Sequence, residues 1–298
     1  MLYALNRDQE LGLQQLVRRY NESINHSFEL YLYTLAFLVR IAECALEDAH
    51  RRAAKLLPSD EDKFFTPKLF DNELIRCIRN NENLKRLFKQ FQFEQNIDPD
   101  ISRNIYTEFA KSDEYKDYVR QVKTSTEEHI KMMLDLFKFC LSQEIFTDTL
   151  DDHYPNWEDD ESLTIGAVKK TIKALPTHTD FFNEFIPDEE ATREFGENLL
   201  VKVIQEDKLL LDEIEPTLKN WDADRVAVID MILLKMALSE LIHFPTIPTK
   251  VTLNEFVEIS KLYSTEKSKD FINGILDRLM KKLSKEGKIV KEGRGLQE

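Results

Sequence analysis

Apolar residues in this chain recur every three or four positions, and no run alternates apolar and polar residues between Asn-Gly or Asp-Gly turns. Glycine occupies only 7 of 298 positions, and leucine, glutamate, lysine and phenylalanine dominate the segments. An all-α protein, a helical bundle with no need of a sheet, follows from that pattern. At 42% hydrophobic content, a chain of this length buries a sizeable core as one large domain or two ordinary ones.

The clearest helices lie between Trp221 and Leu283. Asp224 to His243 places Ile229, Ile232, Leu233, Met236 and Leu241 on one stripe, with Asp222 or Asp224 as its cap and Pro245 and Pro248 beyond its end. Thr252-Leu-Asn-Glu255 reads as a capping box, followed by a buried face of Phe256, Ile259 and Leu262 or Tyr263. Phe271, Ile272, Ile275, Leu276, Leu279 and Leu283 make a third stripe, and Gly287 offers a left-handed cap after it.

Three ordered segments here resemble the C-terminal motifs of the transcription antitermination factor NusB family: 225–235 (RVAVIDMILLK), 248–255 (PTKVTLNE) and 268–277 (SKDFINGILD). The helix expected from Phe195 to Trp221 looks like its counterpart too, so the resemblance covers roughly the last two-fifths of the chain. Four positions depart from the family pattern. Ser239 stands where a tyrosine is usual, Lys235 replaces an arginine, Phe256 a small residue, and Lys267 an acidic one.

Ahead of that region, Leu2-Tyr3-Ala4 looks like the Leu-Tyr pair closing the family's first helix, without the arginine-rich half that opens it. Residues 11 to 57 read as nearly all helix, and 69 to 93 as one or two helices jointed at Asn80-Asn81. Asp98-Pro99-Asp100 starts another, because proline suits a first helical turn. Thr126 to Phe146 is the longest apolar piece of this half. The acidic stretch from Asp148 to Glu161 reads as a solvated connection and the best internal break. The expected domains are therefore an N-terminal helical region over 1–160, a NusB-like RNA-binding domain over 161–290 and a flexible tail over 291–298. Compared with compact family members, roughly Tyr20 to Asp180 is an insertion or expansion.

Net charge is -14, which argues against indiscriminate nucleic-acid binding. Residues 250 to 298 carry 11 Lys and Arg against 8 Asp and Glu, so the basic character collects beside the Phe271 helix. Cys44, Cys77 and Cys140 fit neither a disulfide framework nor a zinc site and are expected to be buried thiols. No signal peptide and no membrane-length apolar run occurs, so a cytoplasmic protein is expected.

Catalysis finds no anchor among the motifs: there is no phosphate-binding loop, nucleophile elbow or His-Glu-x-x-His pair. Glu47 with His50 and Glu240 with His243 have di-iron bundle spacing, but His243 sits where its helix ends before Pro245. The acidic stretch lacks the ligand order of a calcium loop. No metal or cofactor is expected.

The sharper constellation is Phe271 with Lys267, Ser268, Lys269 and Asn273, since aromatic faces stack on splayed bases, cations meet phosphates and amides read base edges. Read alone, Phe271 fits equally well as a core residue on the Ile275 stripe. Gly274, inside the helix, points to a close approach by a helix or ligand. The resemblance implies that Phe271 and its neighbours, with Tyr3, contact boxA-type RNA of nascent ribosomal RNA. It implies too that Asp224 and Asp230 face a basic ribosomal protein that doubles as NusE, and that the complex acts on RNA polymerase. The rival reading is an RNA-independent helical adaptor.

Overall fold

The computed structural model describes residues 1–8, 10–177, 179–218, 225–265 and 267–296. Among these residues every regular element is helical. None of the helices is long and apolar enough to cross a membrane. The chain forms two compact units, 23–187 and 1–22 with 188–298. The boundary expected at 160 falls inside the helix Trp157–Ala174, and the span read as an insertion, roughly 20 to 180, overlaps the first of these units.

Unit 23–187 is organised on α2 (Leu13–Ala53), whose residues from Leu30 to Ala45 are almost all buried. A helix that is apolar all round is stable only when neighbours cover every side. Phe37 stacks on Phe146 at 4.8 Å, Phe93 meets Tyr33 edge-on, and the Tyr31 hydroxyl lies 2.7 Å from Thr171 Oγ1. Burial pushes the Tyr33 hydroxyl up to about 12 and the Cys44 thiol to about 11. Cys44 and Cys140 are buried as expected, but Cys77 is only partly so.

Local caps set the helix boundaries. Ser59 opens α3 (Asp60–Phe64) with a capping box, and α4 (Glu73–Asn80) gives way to α5 (Glu82–Gln90) at Asn81, which accepts from Leu84 N. After the short α6 (Phe93–Asn96), Asp98 caps α7 (Pro99–Phe109). Ser112 caps α8 (Asp113–Arg120) and Ser125 caps α9 (Thr126–Leu141). The acidic stretch is not a solvated connection. It is shared between α10 (Glu144–His153) and α11 (Trp157–Ala174), with only Tyr154 to Asn156 between them. Trp157 is buried, and Glu158, Asp159 and Asp160 lie at the positive end of α11, where acids favour a helix.

The other unit starts with α1 (Leu2–Arg7), which packs on α14 (Val228–His243). The long helix expected from Phe195 to Trp221 is broken. A π-helical stretch, Glu190–Glu197, leads into α12 (Asn198–Gln205) and α13 (Asp207–Ile214). Tyr20 Oη donates to the Thr192 carbonyl at 3.0 Å and lies where a side chain on Gly196 would have to go. The caps expected at Asp222 and Asp224 lie outside the described residues; the described helix begins at Val228 after Ala227.

Next, α15 (Thr249–Tyr263) begins behind Pro248, three residues before the expected box, so Thr252 is not a cap but a fully buried residue inside the helix. In α16 (Ser268–Lys285) the expected stop holds: Gly287 has φ +69° and Lys288 N donates back to the Leu283 carbonyl at 2.9 Å. The tail is fastened as far as Leu296. Glu292 N donates to the Pro245 carbonyl at 2.9 Å, and at Gly295 a side chain would collide with that same carbonyl.

Candidate nucleic-acid interface

The corner between α15 and α16 is built on a buried carboxylate. Asp230, 5% exposed on α14, accepts through Oδ1 from Ser264 Oγ and through Oδ2 from Ser268 Oγ, the latter at 2.8 Å. Ser264 Oγ also lies 2.9 Å from Ser268 Oγ, Thr265 Oγ1 lies 2.8 Å from the same atom, and Ser268 N donates to the Thr265 carbonyl. Hydrogen bonds to a buried charge are stronger than neutral ones, so this cluster fixes the backbone on both sides of the turn.

That geometry corrects two expectations. Asp230 does not face a partner, since both its oxygens are engaged inside the unit. Ser268, 3% exposed, holds the corner rather than a ligand. The companion position Asp224 lies outside the described residues.

Around this fixed turn the remaining candidates are exposed. Lys267 stands at the cap of α16, Lys269 and Asn273 point to solvent, and Phe271 is half-buried against Ile275 and its neighbours. Phe271 therefore takes part in the apolar core of its unit without being fully buried in it. Gly274 has open space where its side chain would be, so no neighbouring helix explains it. Tyr3 is 50% exposed and sits on α1, which packs on α14.

Sequence reasoning placed Leu262 or Tyr263 on the buried face of α15; they are 78% and 48% exposed. The stripe of Phe256 and Ser260 does run on to position 263, but α15 ends there.

The departures from the family pattern have local consequences. Phe256 is buried in the core, Ser239 is buried, and Lys235 pairs with Asp207. His243 Nε2 lies 2.7 Å from Glu206 Oε2, not beside Glu240. Burial raises the Glu240 carboxyl above its ordinary value, opposed by Thr252 and by the Lys291 charge. Glu47 lies in the other unit, bonded to Arg40 and paired with Arg103. Among the described residues no three His, Cys, Asp or Glu side chains gather as a metal would need.

Beside α1, a groove of about 550 Å³ runs between α12, α13 and α14. Its walls are apolar at Leu2, Val203 and Met231, with Asp207 and Glu215 along it.

Comparison with known proteins assigns this architecture to a family. The family model described as NusB matches residues 166–281. The transcription antitermination protein NusB of Salinibacter ruber is 38% identical over 111 residues, 37% of this chain and 69% of that protein. The protein of the same name from Chloroherpeton thalassium is 38% identical over 104 residues, 35% of this chain and 49% of that one. The Clostridium botulinum protein, also so named, is 34% identical over 121 residues, 40% of this chain and 91% of its own length. No solved structure matches. With most of two relatives covered at these identities, the chain belongs to the NusB family.

Proposed function

We propose that the chain acts in transcription antitermination, binding boxA-type single-stranded RNA of nascent ribosomal RNA together with the NusE-type ribosomal protein, and so acting on RNA polymerase. It works by binding, in the cytoplasm, and not as an enzyme. The observation that carries this reading is the α15–α16 corner. A buried Asp230 accepts from Ser264 at the end of α15 and from Ser268 at the start of α16, beside the exposed Lys267, Lys269 and Asn273 and the partly buried Phe271. Aromatic faces with adjacent cations are what unpaired RNA needs. Tyr3 is a further contact on the family's pattern.

The basic partner is met by acids. Asp224 keeps that assignment, while the groove along α1 adds apolar walls with Glu215 beside them, Asp207 there being paired with Lys235, which suits an apolar segment. Overall acidity and the modest basic surface mean that the chain alone binds RNA weakly and the partner tightens it. Titration of labelled boxA-type RNA, with and without the ribosomal protein and across a range of salt, tests this. Tighter binding with the partner is expected; an affinity that the partner leaves unchanged favours the RNA-independent adaptor instead.

A further inference from the structure

We propose that the groove between α3 and α8 in unit 23–187 is a self-association face, where two copies of this chain pair about a two-fold axis and each places Phe64 and Val122 in the groove of the other. The proposal does not depend on the RNA reading, and it concerns the unit to which that reading gives no task.

The groove has a volume of about 850 Å³ and is lined by Phe65, Tyr115 and Val119. Phe64 and Val122 line it as well, yet they stand out into solvent at 80% and 98% exposure, and neither packs into the core of the unit. Exposed apolar groups beside an apolar recess suit a two-fold contact, because one patch must then supply both the projection and the hollow that receives it. Both walls are fixed. Ser59 caps α3, and Asp62 accepts from Lys55 at 2.9 Å and from Arg52 at 3.2 Å, which ties α3 to the end of α2. Lys68 Nζ donates to the Tyr118 and Gln121 carbonyls at 2.6 and 2.8 Å, which ties the chain after α3 to the end of α8.

Charge favours a second copy as the occupant. The α3 wall carries Asp60 and Glu61, and the α8 wall carries Lys116 and Arg120. A two-fold axis running along the groove sets the acidic wall of each copy against the basic wall of the other. Within one copy, Glu61 lies 3.5 Å from Arg120, Lys116 3.6 Å from Asp113 and Asp60 2.8 Å from Lys63. All six side chains are exposed, and pairs of that kind contribute little, so exchanging them for pairs across the contact costs little.

Sedimentation equilibrium of the full chain tests this and should fit a monomer–dimer equilibrium. Phe64→Asp is expected to raise the dissociation constant by about 30-fold or more, the effect of losing a central apolar anchor, with the melting temperature little changed. Charge reversal reads the geometry. Glu61→Lys and Arg120→Glu should each weaken self-association by about tenfold or more, and an equimolar mixture of the two variants should recover the dimer, because opposite charges then meet at both symmetric contacts. Mixing cannot repair a pair that forms only within one copy. A wild-type chain that stays monomeric at every concentration, a dimer that Phe64→Asp leaves intact, or a mixture that stays monomeric would each overturn the proposal. If Phe64→Asp lowers the melting temperature, Val122→Asp, at a residue almost wholly in solvent, gives the same reading.

Discussion

The two compact units use their aromatic residues in opposite ways. In unit 23–187 many are inside, with Tyr31, Tyr33, Phe37, Tyr106, Phe137 and Phe146 all nearly or fully buried, while Phe28, Phe65, Phe88 and Phe139 are partly buried against them and Phe64 lies at the surface. The core of the other unit is aliphatic, built on leucine, isoleucine and valine with Phe256 as its one fully buried aromatic among the described residues. Tyr3 and Tyr263 there are about half exposed, and Phe271 is partly so. Charge differs as well. Residues 23–187 carry 21 Lys and Arg against 30 Asp and Glu, and the rest of the chain 20 against 25, so the first unit is at -9 and the second at -5. Weaker negative charge makes the approach of phosphates less unfavourable. The larger unit thus spends most of its aromatic residues on packing, and on the reading proposed above the other unit carries the RNA-binding surface.

Substitutions sharpen that contrast. The largest effect is expected inside the packing unit. Phe37→Ala should lower stability by about 3 to 5 kcal/mol in a denaturant titration, because the ring is fully buried against Phe146. A loss below about 1 kcal/mol would mean that this core is not tightly packed. Next comes the corner. Asp230→Ala leaves buried serine hydroxyls without their acceptor and should cost about 2 to 3 kcal/mol while also weakening RNA binding. A partner-facing aspartate would instead lose partner affinity and no stability.

Smaller effects follow. Gly274→Ala should stabilise α16 by about 0.5 to 1 kcal/mol, since the position is helical and its side-chain space is empty. If RNA affinity drops at the same time, that space belongs to the ligand; a loss of stability would show that the helix does not tolerate a methyl group there. The smallest effect appears only in acid. Lys282 and then Lys288 hydrogen-bond Glu213 and hold its carboxyl below the usual range. The stability it supplies is complete above the unfolded carboxylate value and is lost as pH falls through the lower folded one. Glu213→Gln should therefore flatten the decline in stability below about pH 4.5, the ordinary glutamate range, and an unchanged acid decline would count against that pairing.

Helix existence was legible wherever the signal was local. Asn81, Asp98 with Pro99, and Gly287 sit within a turn of the boundaries they set, and each was read correctly. The stop of α9 at Leu141 was hidden inside a continuous apolar run, and the π-helical stretch depends on Tyr20, 172 residues from the carbonyl it meets. Thr252 has the spelling of a capping box, but Pro248 had already started the helix. At the candidate site, Lys269 and Asn273 were legible because polar residues on an amphipathic helix face water. Asp230 was not, since its two serines lie 34 and 38 residues away and only the folded chain brings them together. Tyr263 was misplaced for a simpler reason. Periodicity assigns a side of the helix, but it does not say where the covering neighbour ends.

The central claim is that Phe271 serves RNA more than it serves the core, and the most direct test compares it with Ile275, fully inside the same stripe. In the presence of the ribosomal protein, Phe271→Ala should lose about 1 to 3 kcal/mol of affinity for boxA-type RNA with little change in stability, while Ile275→Ala should cost about 2 to 5 kcal/mol of stability. A Phe271→Ala protein that unfolds as readily as Ile275→Ala, and whose folded fraction binds the RNA normally, would contradict the account.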